Sequence, residues 1–235
     1  MKDRRVIVTG AFGALGQVVA RTLAAQGARV ALLDAAAGVP ESLAREFQAH
    51  LLLAGTDLSR FDATQAAIAQ VAQRFEAIDA LVNIAGGFRW ETIEDGDPAT
   101  WDRMHTLNLM TAMHACKATL PALLKRASER GAARIVNIGA GAAAKAAKGM
   151  GAYAASKAGV LRLTEALSEE TKDRGLTVNA ILPGIIDTPA NRKDMPDADT
   201  SQWVTPEAIA DVLAFLLSDA ARAITGAGIP VMGRL

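Results

Sequence analysis

The chain has 235 residues, 51% of them hydrophobic, with 25 Lys and Arg set against 25 Asp and Glu for a formal charge of zero. That length suffices for a sizeable core, and the balanced, dispersed charge excludes the basic stripe of a nucleic-acid binder. No run reaches the ~18 apolar residues of a membrane helix, the strand after Met1-Lys2-Asp3-Arg4-Arg5 is too short for a signal peptide, and the lone Cys116 has no internal disulfide partner. The expectation is a cytoplasmic protein with an inert core thiol and no membrane partner.

Short β-branched runs alternate with longer Ala-rich runs of helical period, and no linker divides them. This predicts an α/β fold, a single doubly wound Rossmann-type domain over residues 1–235 with a seven-stranded parallel sheet and helices on both faces. Strands are predicted at Arg5–Thr9, Arg29–Leu33, His50–Ala54, Ala80–Asn83, Arg134–Ile138, Thr177–Leu182 and Gly228–Met232. Helices are predicted at Ala14–Gln26, Pro40–Gln48, Ser59–Phe75, Pro98–Arg130 (two helices or one bent one), Ala152–Arg174 and Pro206–Leu217.

The first strand runs into Thr9-Gly10-Ala11-Phe12-Gly13-Ala14-Leu15-Gly16. Glycines after a strand and at the start of a helix let the backbone lie against a pyrophosphate seated on the helix N-terminus. Asp34 ends the second strand, where a carboxylate accepts adenosine ribose hydroxyls and repels a 2′-phosphate, and no Arg or Lys stands in the glycine loop or directly after Asp34. The cofactor is therefore read as NAD(H) in preference to NADP(H). Asp57, before Leu58 and the third helix, fits either a helix cap or an adenine contact. Asn83-Ile84-Ala85-Gly86 ends the fourth strand with small residues that allow close backbone approach.

Farther along, Tyr153 and Lys157 stand four residues apart in a helix-favouring run, so both project from one face. Lowering a tyrosine from its usual pKa near 10 to neutrality takes ~4 kcal/mol, which a neighbouring cation and a bound cofactor together can supply. Asn108 is a polar residue in an apolar helix and needs a partner if buried. His50, His105 and His114 lack metal-ligand spacing, so no metal site is expected.

Together the glycine loop, Asp57-Leu58, Asn83-Ile84-Ala85-Gly86, Asn108, Tyr153-Ala154-Ala155-Ser156-Lys157 and Pro183-Gly184-Ile185-Ile186-Asp187-Thr188 resemble the short-chain dehydrogenases/reductases over essentially the whole chain. The resemblance implies that Tyr153 is the general acid/base and that Lys157 lowers its pKa while holding the nicotinamide ribose. It further implies that Asn108 anchors a relay water, and that Thr188 with the Ile186 backbone binds the carboxamide. A homodimer or homotetramer is also implied, in keeping with apolar residues on more than one face of the runs near Met113–Leu124 and Val160–Leu167.

Two departures from the family pattern stand out. Ala14 occupies the usual middle glycine, displaced to Gly13, and Ala140 stands thirteen residues before Tyr153 where the family carries a serine. Loss of such an oriented donor costs ~10² to 10³ in rate on an ordinary carbonyl. In the narrower detail of Gly-Ala-Leu-Gly, Ala140 and the segment Asp187 to Asp199 with Trp203, the chain resembles quinonoid dihydropteridine reductases, whose substrate is already polarised. The expected function is hydride transfer from NAD(H) to a polarised C=N or C=O in a small molecule. A 3-oxoacyl thioester or simple ketone reductase is one alternative, and a non-catalytic NAD(H) sensor is another. Arg89, Trp90, Asn191, Arg192, Met195 and Trp203 are the expected substrate wall, with Ala140 beside them; Lys145 and Lys148 fit either solvated surface charges, the favoured reading, or a contact to an acidic substrate group.

Overall fold

A computed structural model describes residues 1–234. Seven parallel strands, β1 (Arg5–Thr9), β2 (Arg29–Leu33), β3 (Leu51–Leu53), β4 (Ala80–Asn83), β5 (Ala133–Ile138), β6 (Leu176–Pro183) and β7 (Gly228–Val231), form one sheet. Their order is β3-β2-β1-β4-β5-β6-β7, so the winding direction reverses between β1 and β4. Side chains along a strand alternate between faces, and here both faces are buried. Val6, Val8, Val82 and Val136 join a core under α1 (Ala14–Ala25), α2 (Glu41–Glu46) and, late in the chain, α8 (Pro206–Leu216). Ile7, Leu81, Ile135 and Val178 join the opposite core under α3 (Phe61–Phe75), α5 (Thr111–Arg130) and α6 (Gly151–Thr171).

The fold matches the doubly wound expectation, and the departures have local causes. The long predicted helix over 98–130 is a near-continuous rod in which α4 (Ala99–Met104) passes through a π-helical turn, His105–Met110, into α5. A π turn lodges one extra residue in a helix, and here it surrounds the buried Asn108. A short helix absent from the sequence reading, α7 (Pro189–Asp194), starts where Thr188 accepts a hydrogen bond from Asn191 N–H at 3.2 Å and proline occupies the first turn.

One buried ion pair fastens this framework at its base. Asp79, just before β4, accepts from the Arg5 backbone N–H at 2.8 Å and pairs with Arg126 Nε of α5, with both side chains nearly enclosed. Removing one partner of such a pair strands a charge, at a cost of about 3–5 kcal/mol. Arg126→Met is expected to lose stability of that order in urea unfolding. The double variant Asp79→Asn/Arg126→Met should recover most of it, and a single variant within 1 kcal/mol of the parent would contradict the assignment.

Candidate active site

All seven strands deliver residues from their carboxyl ends into one cleft of about 1960 Å³: Gly10, Asp34, Thr56, Ile84, Ala140, Pro183 and Met232 follow β1 to β7 in turn. This is the crevice that a doubly wound sheet opens where its winding reverses.

On the side of β1 to β3, the glycine loop has a specific backbone requirement. Gly10 lies at φ +62°, and a Cβ there would stand 2.7 Å from Ala85 N; a Cβ on Gly16 would stand 2.2 Å from Gly10 O. These two glycines let strand, loop and helix touch one another. Gly13 meets nothing closer than Gly10 O at 3.4 Å and, like Ala14, is exposed to the cleft. The displaced glycine thus keeps the open approach, and the Ala14 methyl blocks none of the loop's own packing. Gly13 is also the N-cap of α1 and has no side chain to cap it, so the first N–H groups, with Leu15 and Gly16, face the cleft without a side-chain acceptor.

Asp34 completes this half. Its Oδ2 accepts from Phe12 N–H at 2.9 Å and its Oδ1 from Ala36 N–H at 2.9 Å, which fixes the carboxylate at the cleft wall. Asp57 Oδ1 accepts from Ser59 N–H and Oγ, closing the turn before α3, whose N-cap is Arg60, while Asp57 and Leu58 both line the cleft. Uncapped helix amides, a glycine face and a carboxylate with no cation beside it fit a dinucleotide, with its phosphates on α1 and its ribose at Asp34.

Tyr153 and Lys157 rise from the first turns of α6 into the same cleft. Lys157 is 5% exposed; its Nζ donates to Ile138 O at 2.8 Å and lies 6.0 Å from the Tyr153 ring centre. Burial lowers the lysine to about 8 and raises the tyrosine to about 12. In this arrangement the ammonium is turned to a carbonyl, and desolvation dominates both groups. At neutral pH Tyr153 therefore carries its proton as a donor.

Several expected site residues act from behind the cleft wall. Asn108 is 1% exposed, and its side chain is fully engaged: Oδ1 accepts from Gly87 N–H at 2.9 Å while Nδ2 donates to Gly87 O and to Ser156 Oγ. It positions β4's exit loop against α6, and its side chain does not reach the reacting space. Asn83 is likewise enclosed, donating to Asn137 Oδ1 at 2.9 Å, and contributes no side chain to the cofactor wall. Ala85 and Gly86 do line it, held by Thr9 Oγ1, which accepts from the N–H groups of Ile84 and Ala85.

Two substrate-wall expectations are corrected. Trp203 is 6% exposed and lies outside the cleft lining, since a large ring after β6 is worth more buried than presented. Arg192 turns to the surface and forms a two-pronged pair with Asp187, 2.8 Å at the longer contact. Asn191, Met195, Thr188, Gly184, Ile186, Arg89 and Trp90 do line the cleft, with Asn191 Nδ2 also donating to Ile186 O at 2.8 Å.

Sequence reasoning missed Phe88, whose ring meets Tyr153 edge-on at 5.0 Å, and Met232, whose terminal methyl would lie 2.8 Å from a Cβ on Gly141. Lys145 and Lys148 are both exposed, as expected, and of the two Lys145 also lines the cleft. Two of the three histidines meet the backbone: His50 Nδ1 accepts from Val30 N–H, and His114 Nδ1 lies 2.9 Å from Leu58 O. Cys116 is buried, which pushes its thiol up to about 12 and leaves it unreactive.

The chain belongs to the short-chain dehydrogenase family, whose model matches residues 4–199, and it is an oxidoreductase. Among its relatives, 2-(S)-hydroxypropyl-CoM dehydrogenase 3 of Xanthobacter autotrophicus is 32% identical over 250 residues, covering 99% of this chain and 96% of its own length. D-threitol dehydrogenase of Mycolicibacterium smegmatis is 35% identical, covering 97% and 90%. The crystal structure of 3-ketoacyl-(acyl-carrier-protein) reductase from Brucella melitensis complexed with NADH superposes with a TM-score of 0.88 at 26% identity, covering 99% and 98%.

Holding Lys157 as a buried cation opposes folding. A fall from 10.5 to about 8 corresponds to about 3 kcal/mol. The cost is full below pH 8, where folded and unfolded chains both carry the proton. It is relieved as pH rises from 8 to 10.5, where only the unfolded chain does. Lys157→Met orphans the Ile138 carbonyl and so gives back about 1–2 kcal/mol. The variant should be about 1–2 kcal/mol more stable than the parent in urea at pH 7, with the gain shrinking above pH 8. A difference that does not change with pH would contradict this account.

Proposed function

We propose that the protein is an NAD(H)-dependent reductase that delivers hydride to a polarised C=N or C=O, with Tyr153 as the proton donor. The observation that carries this reading is the meeting, in one cleft, of Tyr153 and Lys157 with the uncapped α1 terminus and Asp34. Bound reduced nicotinamide supplies the hydride. Tyr153, protonated by virtue of its burial, gives its proton to the oxygen or nitrogen on which charge develops. Lys157, anchored on Ile138 O, keeps a positive charge next to that phenol and within reach of a ribose. Phe88 packs at 86° against the tyrosine ring and helps to hold it in place.

NAD(H) is preferred over NADP(H) on this reading because Asp34 stands at the ribose position, and every cation lining the cleft lies beyond Ile84 in sequence. The NADH carried by the superposable Brucella melitensis reductase supports the choice. Ala140 offers no hydroxyl, which favours an electrophile that is already polarised, such as a quinonoid dihydropterin. The second reading, an ordinary ketone or 3-oxoacyl thioester, is favoured by the relatives' names, among them an acetoacetyl-CoA reductase of Allochromatium vinosum at 31% identity. A cytoplasmic homodimer or homotetramer accompanies either reading, with half-buried Leu120, Leu124, Leu161 and Leu163 supplying apolar surface for association.

Tyr153→Phe is expected to abolish NADH oxidation against ketone, imine and quinonoid dihydropterin substrates while leaving NADH binding within about twofold, as read by fluorescence titration; full turnover would remove the proton-donor role. Ala140→Ser separates the two substrate readings. A gain of ~10² in kcat on simple ketones indicates a carbonyl site lacking its donor, and no gain indicates a site shaped for a self-polarised electrophile.

A further inference from the structure

The cleft is polarised along its length. Its β1 to β3 half is lined by Asp34 and Asp57 and by no cation. From Ile84 onward the lining carries Arg89, Arg103, Lys145 and Lys157 against Asp102 and Asp194. In a chain of zero net charge this separation gives the two ends of one cavity opposite preferences. Arg89, Arg103 and Lys145 come from three segments, and none has a carboxylate oxygen within 4.0 Å among the described residues. Glu91 lies behind them; its carboxyl is held low by the Thr100 hydroxyl and the Asp97 N–H, and at longer range by Arg89 and Arg103, which places both guanidinium groups in its neighbourhood.

Among these cations stand two aromatic rings that the fold leaves open. Phe88 and Trp90 are each 54% exposed and both line the cleft. Neither is loosely held. Phe88 is set at 86° to the Tyr153 ring, and Trp90 lies so close over Gly149 that a Cβ there would stand 2.2 Å from the indole. The Glu91 N–H donates to Gly149 O at 2.8 Å, strapping this loop to the segment that leads into α6. Two fixed, flat, uncovered surfaces beside the proton donor suit a flat partner, because stacking rewards matched planar area.

We propose that the substrate is a flat, conjugated molecule bearing an anionic group, its ring system resting against Phe88 and Trp90 and its anion met by Arg89, Arg103 and Lys145. The proposal rests on the reductase reading, and it narrows the substrate class from any polarised C=N or C=O.

The test compares isatin, a neutral, planar, activated ketone, with isatin-5-sulfonate and isatin-5-carboxylate, and with pyruvate as an anion without a ring. Both anionic isatins should show kcat/KM about tenfold above isatin, the combined effect of a few exposed ion pairs, and the advantage should fall with added salt. Pyruvate should be poorer than any isatin. In Arg103→Met/Lys145→Met the ratio of anionic to neutral isatin should fall toward one, whereas Lys148→Met, outside the cleft, should retain it. Equal kcat/KM for isatin and its anions, or a ratio unaltered in the double variant, overturns the proposal. Binding to the NADH-loaded protein, followed by tryptophan fluorescence, keeps the two readings apart. Anion-selective binding without NADH oxidation removes the reductase reading and leaves the cleft as a binding site for a flat anion. Turnover without anion selectivity does the opposite, and failure of all three isatins to bind overturns the substrate class.

Discussion

A protein interior resists a bare ammonium ion, and the cleft is arranged around one. Lys157 is enclosed by Gly86, by the carbonyl at the end of β5 and by its own helix, and its single acceptor among the described residues is Ile138 O. Gly86 shows how tight the enclosure is, since a Cβ there would stand 2.5 Å from Asn108 Oδ1 and 3.4 Å from Lys157 Nζ. Asn108 in turn holds Ser156 Oγ, and Ser156 donates to Tyr153 O. The π turn, the glycine exit of β4 and the first turn of α6 are thus three supports of one charged atom.

The sequence made the scaffold legible because parallel strands buried on both faces leave uninterrupted β-branched runs, as in Val6-Ile7-Val8 and Ile135-Val136. The chemical pair was legible for a similar reason: helical spacing alone sets Tyr153 and Lys157 on one face. Residues whose role depends on distant partners were harder to read. Nothing local distinguishes Trp90, which lies on Gly149, from Trp203, which is buried, and nothing near Arg192 shows that it turns to Asp187. Asn83 and Asn108 announced polarity in apolar surroundings, but their partners Asn137 and Ser156 lie 54 and 48 residues away. The loop carrying Phe88 has no periodicity to read, and its position is set by contacts to Tyr153 and Gly149.

Ala140 is more than a missing hydroxyl. It is 6% exposed, it lines the cleft, and the neighbouring Gly141 accommodates the Met232 side chain arriving from β7. The surface opposite Tyr153 is consequently apolar, soft and adaptable, of the kind that shapes itself to a ring system more readily than it polarises a carbonyl. Relatives about 30% identical across the whole chain belong to the same family, and this wall, the residues Phe88 to Trp90 and part of α7 line the cleft.

The reversal of winding between β1 and β4 has a consequence along the chain. The glycine loop, Asp34 and Asp57 are all written before residue 60, and the rest of the cleft lining is written from residue 84 onward. The two halves of the cleft are separate paragraphs of the gene, joined in space mainly where Gly10 lies against Ala85. Substitutions after residue 84 can therefore reshape the far end of the cleft while the glycine loop and Asp34 stay as they are.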